Sequence, residues 1–189
     1  MVDVRRAETA DLASVVAVLN AATLKLLGLG VQQWTYPWDA PPVREAIERR
    51  EWYLVVHDEQ SVATFRMSRI DGLSSLSVEP NSLYLSQLAV HPRYQGQGVG
   101  AQILGFAQAC SQRCGVALYV DCWAGNAKLR AFYAAHGFEG VGDFPEADYF
   151  VHVFRFPGAT WEGSSDARMA RRHRDSAKTR STHDGSGEQ

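Results

Sequence analysis

Residues 83–101 read LYLSQLAVHPRYQGQGVGA, and the rest of the chain is best understood outward from this stretch. Its first eight residues alternate as a strand does, which predicts that Leu83, Leu85, Gln87 and Ala89 share one face. Pro92 then ends the strand, because proline has no N–H to donate. Residues 95–100, QGQGVG, follow and lead directly into a segment with helical spacing. The order predicts a strand, a tight loop and a helix.

The glycines of this loop have a chemical use. Gly96, Gly98 and Gly100 allow a backbone that turns its N–H groups inward with no Cβ in the way. The start of the next helix adds unpaired N–H donors and the positive end of its dipole. An ordinary glycine-rich turn would account for the glycines alone. The order of strand, proline, loop and helix favours a site for a phosphate or pyrophosphate.

Two cofactor classes fit such a loop. Gly96, Gly98 and Ala101 match the pattern G-x-G-x-x-A, and Asp121 follows where a dinucleotide-binding fold has an acidic residue for the ribose. That fold, however, places its first glycine at the very end of the strand. Here residues 91–95 intervene, and the segments before them read as an antiparallel meander.

A second pattern accounts for more of these residues. Gln95, Gly98 and Gly100 fit (Gln/Arg)-x-x-Gly-x-(Gly/Ala), and they follow the run Leu-Ala-Val-His-Pro at 88–92. This arrangement resembles motif A of the GNAT family of N-acetyltransferases. Residues 126–138, which begin with Asn126 and contain Tyr133 seven positions later, resemble motif B of the same family.

The resemblance implies a mixed α/β fold, with a largely antiparallel sheet flanked by helices, over residues 1–156. It implies that an acetyl group passes from acetyl-CoA to a primary amine by direct attack in a ternary complex, with Tyr133 protonating the CoA thiolate. Helix pattern alone would make Tyr133 a core residue. The implied cofactor-binding residues are Leu88, Ala89, Val90, Gln95, Gly96, Gln97, Gly98, Val99, Gly100 and Asn126.

The acceptor side is less marked in the sequence. Trp34, Tyr36 and Trp38 lie in an aromatic loop that forms either an amine-binding wall or a core plug. His152 lies on a strand that lines the acceptor side in the family, and strand alternation gives even odds that it faces inward. An acidic connection is predicted at residues 143–148, between the last two strands, and its acidic residues would attract a cationic acceptor or simply be solvated. These acids are Asp143, Glu146 and Asp148. The side-chain candidates for the general base are Glu79, His91, Asp121 and His152, and water relayed through backbone carbonyls is the alternative.

Composition sets the limits for the rest. A length of 189 residues and a net charge of −2 indicate one globular domain with no general attraction to nucleic acid or anionic membranes. No signal peptide is recognised, and no apolar run approaches the length of a membrane span. Three cysteines without metal-ligand spacing predict reduced thiols and no metal. The expected location is the cytoplasm, and a homodimer is left open.

Residues 157–189 change in composition. They carry Trp161 and Met169 as their large apolar residues, among much serine, glycine and charge. So little apolar surface cannot offset the entropy of ordering, and the segment is predicted to be a disordered tail.

Three alternatives to the enzyme remain at this point. A non-catalytic acetyl-CoA sensor would use the same loop, and a nicotinamide-dependent oxidoreductase would need the G-x-G-x-x-A interpretation. A nucleic-acid-binding module would depend on the basic residues of the tail.

Overall fold

The computed structural model describes residues 2–31, 33–73, 75–146 and 149–158. The predicted disordered tail falls outside the described residues from position 159 onward. Asp148 of the acidic group also falls outside them.

A seven-stranded sheet forms the centre of the molecule, with the strand order β1-β2-β3-β4-β5-β7-β6. Strands β1 to β4 form an antiparallel meander, and β5, β7 and β6 form a second antiparallel group. In the described part of the chain, β4 and β5 are the only neighbours that run parallel. The strands are β1 Asp3–Arg6, β2 Trp52–His57, β3 Gln60–Ile70, β4 Ser82–Val90, β5 Leu118–Trp123, β6 Glu139–Glu146 and β7 Tyr149–Phe156.

Within the described residues, four α-helices cover the two faces of this sheet: α1 Leu12–Gly28, α2 Ala40–Glu48, α3 Val99–Cys114 and α4 Ala127–Ala135. Helices α1 and α2 bury an apolar face against β2 and the end of β4, where Trp52, Leu54 and Ala89 complete the cluster. The opposite cluster includes α3 and Tyr133 of α4, with Leu85 of β4 among their contacts. The mixed α/β fold predicted from the sequence is confirmed.

The first helical segment, Thr9–Gly28, is long and apolar enough to cross a membrane, by length and composition. The expectation that no apolar run approaches the length of a membrane span is therefore wrong. The core helix of a globular protein passes the same test. Val15, Val18 and Leu19 are fully or almost fully buried in the cluster with α2 and β2, which places this helix in the core.

The predicted faces of β4 hold only for its first half. In the first half, the odd-numbered Leu83 and Leu85 pack on the α3 side of the sheet. In the second half, the even-numbered Leu88 and Val90 pack on that side, and Ala89 packs on the α1 side. An irregularity in the register against β3 lies between these two halves. One extra residue in a strand exchanges the two faces, because side chains alternate with a period of two.

The last strand pair is longer than expected. The sequence suggested an acidic connection from Asp143 onward, but β6 continues as strand to Glu146. Pairing with β7 fixes this segment, with Phe144 opposite Val151 and Glu146 opposite Tyr149. Tertiary pairing therefore outweighs the low strand propensity of the acidic residues and Pro145.

Candidate active site

The two parallel strands separate soon after they meet. β4 and β5 pair only where residues 83–85 lie against residues 118–120. Beyond this point a cleft of about 690 Å³ opens between them. Leu88, Ala89 and Val90 line it from β4, and Asp121 and Trp123 line it from β5. The predicted cofactor-binding strand thus forms one wall of this cleft.

A bulge in β4 lies in this wall. Thr64 of β3 pairs with Ala89 and Arg66 pairs with Ser86, so Gln87 and Leu88 together face the single residue Phe65. Gln87 has a φ of 52°, which is costly for a residue with a side chain. Such a bulge interrupts the ladder and leaves backbone groups free to face a ligand.

The side chain of Gln87 is also unusual. Its Oε1 atom is buried and has no hydrogen-bond partner among the described residues. Gln87 lines both the large cleft and a smaller one of about 350 Å³ beside it. Gln87 is not among the site residues predicted from the sequence, because a glutamine within a strand gives no signal of its own.

The glycine loop lies just beyond the end of the same wall. Gly96 and Gly98 have φ values of 77° and 79°, and a Cβ added at either would meet no atom within 4 Å. Helix α3 begins at Val99, and no side chain caps its start. The first N–H groups of the helix therefore remain available to a ligand. This cradle fits the phosphates of acetyl-CoA, because it offers open space, exposed donors and the positive end of a helix dipole.

Two other loop residues act through their packing. A Cβ on Gly100 would lie 3.4 Å from the ring of Phe132, so this glycine lets α4 approach α3 closely. Val99 is buried in the α3-side cluster, and it can contribute only its backbone to a ligand. Gln95 lines the large cleft itself.

Asn126 and Tyr133 both line the cleft from α4. Asn126 begins the helix, where its Oδ1 accepts from the N–H of Leu129 at 3.0 Å. Tyr133 is 4% exposed and packs against Phe132, Phe138 and Phe154. Burial, with the nearby Cys122 and Asp121, raises the pKa of Tyr133 well above its usual value. The hydroxyl therefore stays protonated at neutral and mildly alkaline pH.

A carboxylate lies on the β5 wall of the same cleft. Asp121 accepts a hydrogen bond from the hydroxyl of Tyr84 at 2.7 Å. Burial raises the pKa of Asp121 despite this hydrogen bond, and the negative charge of Glu146 raises it further. Tyr84 and Glu146 line the cleft too. Burial and the charge of Asp121 also raise the pKa of Tyr84, so its hydroxyl acts as a donor.

This arrangement gives Asp121 a different place from the one a dinucleotide fold requires. It is held by Tyr84 inside the cleft, and a short helical turn, Pro92–Tyr94, separates β4 from the glycines. The largely antiparallel sheet does not fit that fold either. The oxidoreductase alternative is therefore set aside.

The aromatic loop divides into different environments. Trp34 lines both clefts and meets Trp38 edge to face at 5.6 Å between ring centroids. Trp38 is fixed by α1, because its Nε1 donates to Thr23 and its backbone N–H donates to Asn20. Tyr36 is 45% exposed and lies outside the residues that line the described clefts.

The other predicted site residues lie elsewhere. His152 of β7 bonds to Asp143 and contacts the ring of Phe154, whereas Tyr149 and Val151 are the β7 residues that line the cleft. Glu79 is bound by Arg155 and by the hydroxyl of Tyr119. The structure thus does not bring His152 or Glu79 to the cleft.

His91 has a structural contact, since its Nδ1 accepts from the N–H of Arg93 at 3.3 Å. No group of three or more potential metal ligands occurs among the residues that the structure describes.

With this geometry in hand, comparisons with known proteins identify the family. The model of the acetyltransferase (GNAT) family matches residues 24–138, which is more than half of the chain. A search of the curated proteins finds no match.

Several solved structures share the fold. The ribosomal-protein-S18-alanine N-acetyltransferase from Escherichia coli is 20% identical, with a TM-score of 0.65 over 87% of this chain and 99% of that one. A GNAT-family acetyltransferase from Listeria monocytogenes is 18% identical, with a TM-score of 0.66 over 82% and 94%. The PaiA N-acetyltransferase from Thermoplasma acidophilum, solved with coenzyme A, is 14% identical, with a TM-score of 0.64 over 82% and 99%. The chain belongs to the GNAT family of acetyltransferases, which use acetyl-CoA as the acetyl donor.

Proposed function

We propose that this protein transfers the acetyl group of acetyl-CoA to a primary amine of a small molecule or peptide. Both substrates bind together, and the amine attacks the thioester directly. The observation that carries the proposal is the cleft between β4 and β5. It has the glycine loop near one end, and Tyr133 and Asp121 in its walls.

Acetyl-CoA supplies a thioester whose carbonyl is open to attack by an amine. Its phosphates would be held by the N–H groups of residues 96–100 and of the first turn of α3. Its thioester arm would lie along Leu88, Ala89 and Val90, where the bulge at Gln87 leaves backbone groups unpaired. Asn126 and Gln95 line the same cleft and would contact this arm.

Tyr133 would act as the general acid. Its raised pKa keeps a proton on the hydroxyl oxygen at neutral pH, and this proton would pass to the departing sulfur. Burial makes a phenol a weaker acid, but it also makes a thiolate formed in the same cleft a stronger base, because removal from water disfavours both anions. The proton can therefore still pass from the hydroxyl oxygen to the sulfur.

Asp121 would act as the general base and as the anchor for a cationic acceptor. Of the four base candidates from the sequence, it alone lines the large cleft. A carboxylate with a raised pKa holds a proton more strongly than an exposed aspartate does. Glu146 adds a second negative charge beside it, which favours an ammonium group.

The acceptor proposal has two further supports. Trp34 lines both clefts. Its aromatic ring would suit an acceptor that carries an apolar group beside its amine. The related Escherichia coli protein is named for a peptidyl acceptor, an alanine of ribosomal protein S18. The cytoplasmic location and the homodimer stay predictions, as do the roles of Tyr36, Trp38 and His152.

The test has two stages. Calorimetric titration with acetyl-CoA should show binding, with none for NADH as the control. A panel of amines, alcohols and thiols of similar size is then incubated with the protein and acetyl-CoA, and the products are identified by mass spectrometry. Acetylation of amines alone supports the proposal. Turnover of only alcohols or thiols would contradict it, and binding without any turnover would favour the sensor.

A further inference from the structure

The glycine loop carries no cationic side chain of its own. Residues 95–98 read Gln-Gly-Gln-Gly, and Gln95 occupies the motif position where arginine is the alternative. Residues 95–98 would therefore meet a doubly charged pyrophosphate with backbone N–H groups, two amide side chains and a helix dipole, but with no positively charged side chain of their own. Arg93 contacts the loop through its carbonyl oxygen, which accepts from Gln97 at 2.8 Å.

A cation reaches the loop from a distant part of the chain. Lys25 lies in the last turn of α1, and its Nζ donates to Oε1 of Gln95 at 2.6 Å, across 70 residues of sequence. The other end of the Gln95 amide donates from Nε2 to the carbonyl oxygen of Val90 at 2.9 Å. These partners fix the orientation of the amide, because an ammonium cannot accept a hydrogen bond and a carbonyl cannot donate one. Gln95 is thus a bridge between α1, the end of β4 and the loop.

The charge of Lys25 has no counter-ion in the described part of the chain. No carboxylate described there lies within 4.0 Å of its Nζ. An ammonium has three donors, and Gln95 uses one of them. Two donors and a full positive charge therefore remain beside a cradle that fits an anion.

We propose that Lys25 is a cofactor-binding residue, which supplies the loop's missing cation to the pyrophosphate of acetyl-CoA, and that Gln95 positions it. The inference builds on the proposed binding of acetyl-CoA in this cleft and adds a residue from outside both sequence motifs. Helix α1 thereby takes part in binding the donor, although the sequence predicts that task for residues 88–90, 95–100 and 126.

The test separates charge from positioning with matched variants. Lys25→Gln keeps an amide donor for Gln95 but removes the charge, whereas Lys25→Arg keeps both. Calorimetry with acetyl-CoA at low and high salt should show a Kd about three- to tenfold higher for Lys25→Gln at low salt. The gap should narrow at high salt, because salt screens an exposed charge. The Kd of Lys25→Arg should stay near the wild-type value. In Lys25→Gln, kcat should change less than KM.

Two further variants complete the design. Arg113→Gln removes the same charge from the far end of α3, roughly 20 Å along the helix, and should bind normally. Adding Gln95→Arg to Lys25→Gln should restore binding, because the charge returns to the loop itself. Lys25 and Arg113 are both exposed, so their single variants should keep the melting temperature of the wild type.

Some outcomes would overturn the inference. If Lys25→Gln binds acetyl-CoA as the wild type does, Lys25 serves only to hold Gln95. An equal loss in Arg113→Gln would mean that overall charge, not this contact, matters. A wild-type protein that binds no acetyl-CoA would reject the proposed function as well, so the two failures are told apart.

Discussion

At the scale of single residues, Tyr133 carries the clearest chemical prediction. Replacing it with phenylalanine removes one oxygen from a side chain that packs among three phenylalanines. We expect kcat to fall about 100-fold or more, because the departing sulfur would lose its proposed proton donor. The Kd for acetyl-CoA should stay within about twofold, since the loop and β4 are the segments proposed to bind it.

The matched control is Tyr53→Phe. Tyr53 is also buried, but it stacks on Phe65 away from the cleft and accepts only a long hydrogen bond from Arg6. This variant should keep full turnover. Steady-state kinetics of the two variants side by side would show whether the effect belongs to Tyr133, and equal rates for both would remove it from the mechanism.

Asp121 leads to a prediction in which activity and stability change in opposite directions. Its pKa is raised by burial, so its contribution to stability is fully present below the pKa of the unfolded chain and is lost as pH rises through the folded pKa. Asp121→Asn should therefore be no less stable than the wild type at pH 8, and less stable relative to it at pH 4. Its kcat/KM should fall about 100-fold at neutral pH.

Melting curves and pH–rate profiles of Asp121→Asn check this prediction. The wild-type rate should fall on the acid side as Asp121 takes up a proton, and the variant should lack that limb. A variant with an unchanged acid limb would show that another group, or water, takes the proton from the amine.

At the scale of elements, the start of α3 can be compared with its own interior. Gly98 has a φ of 79° and Gly105 lies within the helix, and a Cβ added at either would meet no atom within 4 Å. Gly98→Ala should lower the free energy of unfolding by about 1 kcal/mol, because an L-residue is strained there. Gly105→Ala should raise it by about 0.5–1 kcal/mol, because alanine favours a helix.

Acetyl-CoA binding should separate the same two variants. The methyl group of Gly98→Ala would stand among the N–H groups proposed to hold phosphate, so its Kd should rise, whereas Gly105→Ala should bind normally. Denaturant melts and calorimetry give both numbers. Normal binding by Gly98→Ala would place the phosphates elsewhere.

The elements also show what a sequence can and cannot predict. The glycine loop was predictable, because a left-handed backbone favours glycine and the loop leads directly into a helix start. The pairing of Tyr84 with Asp121 and of Lys25 with Gln95 was not, because each joins residues far apart in sequence. The exact position of the bulge, at Gln87, leaves no mark in the residues themselves, because one extra residue leaves the composition of a strand unchanged but exchanges its faces.

The side of β7 that reaches the cleft shows the same limit. Alternation alone could not choose between His152 and its neighbours, and the pairing with β5 and β6 turns Val151 to the cleft. A further irregularity between Gly140 and Gly142 in β6 shifts the register of the pair. The side on which a strand residue lies is thus a property of the whole sheet.

At the scale of the whole molecule, the donor should join the two halves of the sheet. A ligand that binds only the folded protein, at 100 times its Kd, adds about 2.7 kcal/mol to the free energy of unfolding. For a chain of this length we expect acetyl-CoA to raise the melting temperature by about 5–10 °C. Differential scanning fluorimetry would measure this shift, and NADH at the same concentration should cause none.

Hydrogen exchange would locate the effect. Acetyl-CoA should slow exchange most at residues 86–90 of β4 and at the start of α3, the segments proposed to contact it. Protection spread evenly over the sheet would indicate stabilisation without a contact at this cleft.

The short parallel pairing of β4 and β5 has a consequence for how the chain folds. Hairpin neighbours β2 and β3 meet after a turn of two residues, but β4 and β5 meet only across the crossover that carries α3. Closing that crossover costs entropy. Little offsets this cost, because β4 and β5 pair only at residues 83–85 and 118–120. We therefore expect the meander to form early and β5, with its antiparallel partners, to join it in the slowest step. The cleft between β4 and β5, where the substrates are proposed to bind, would then be the last part of the protein to form.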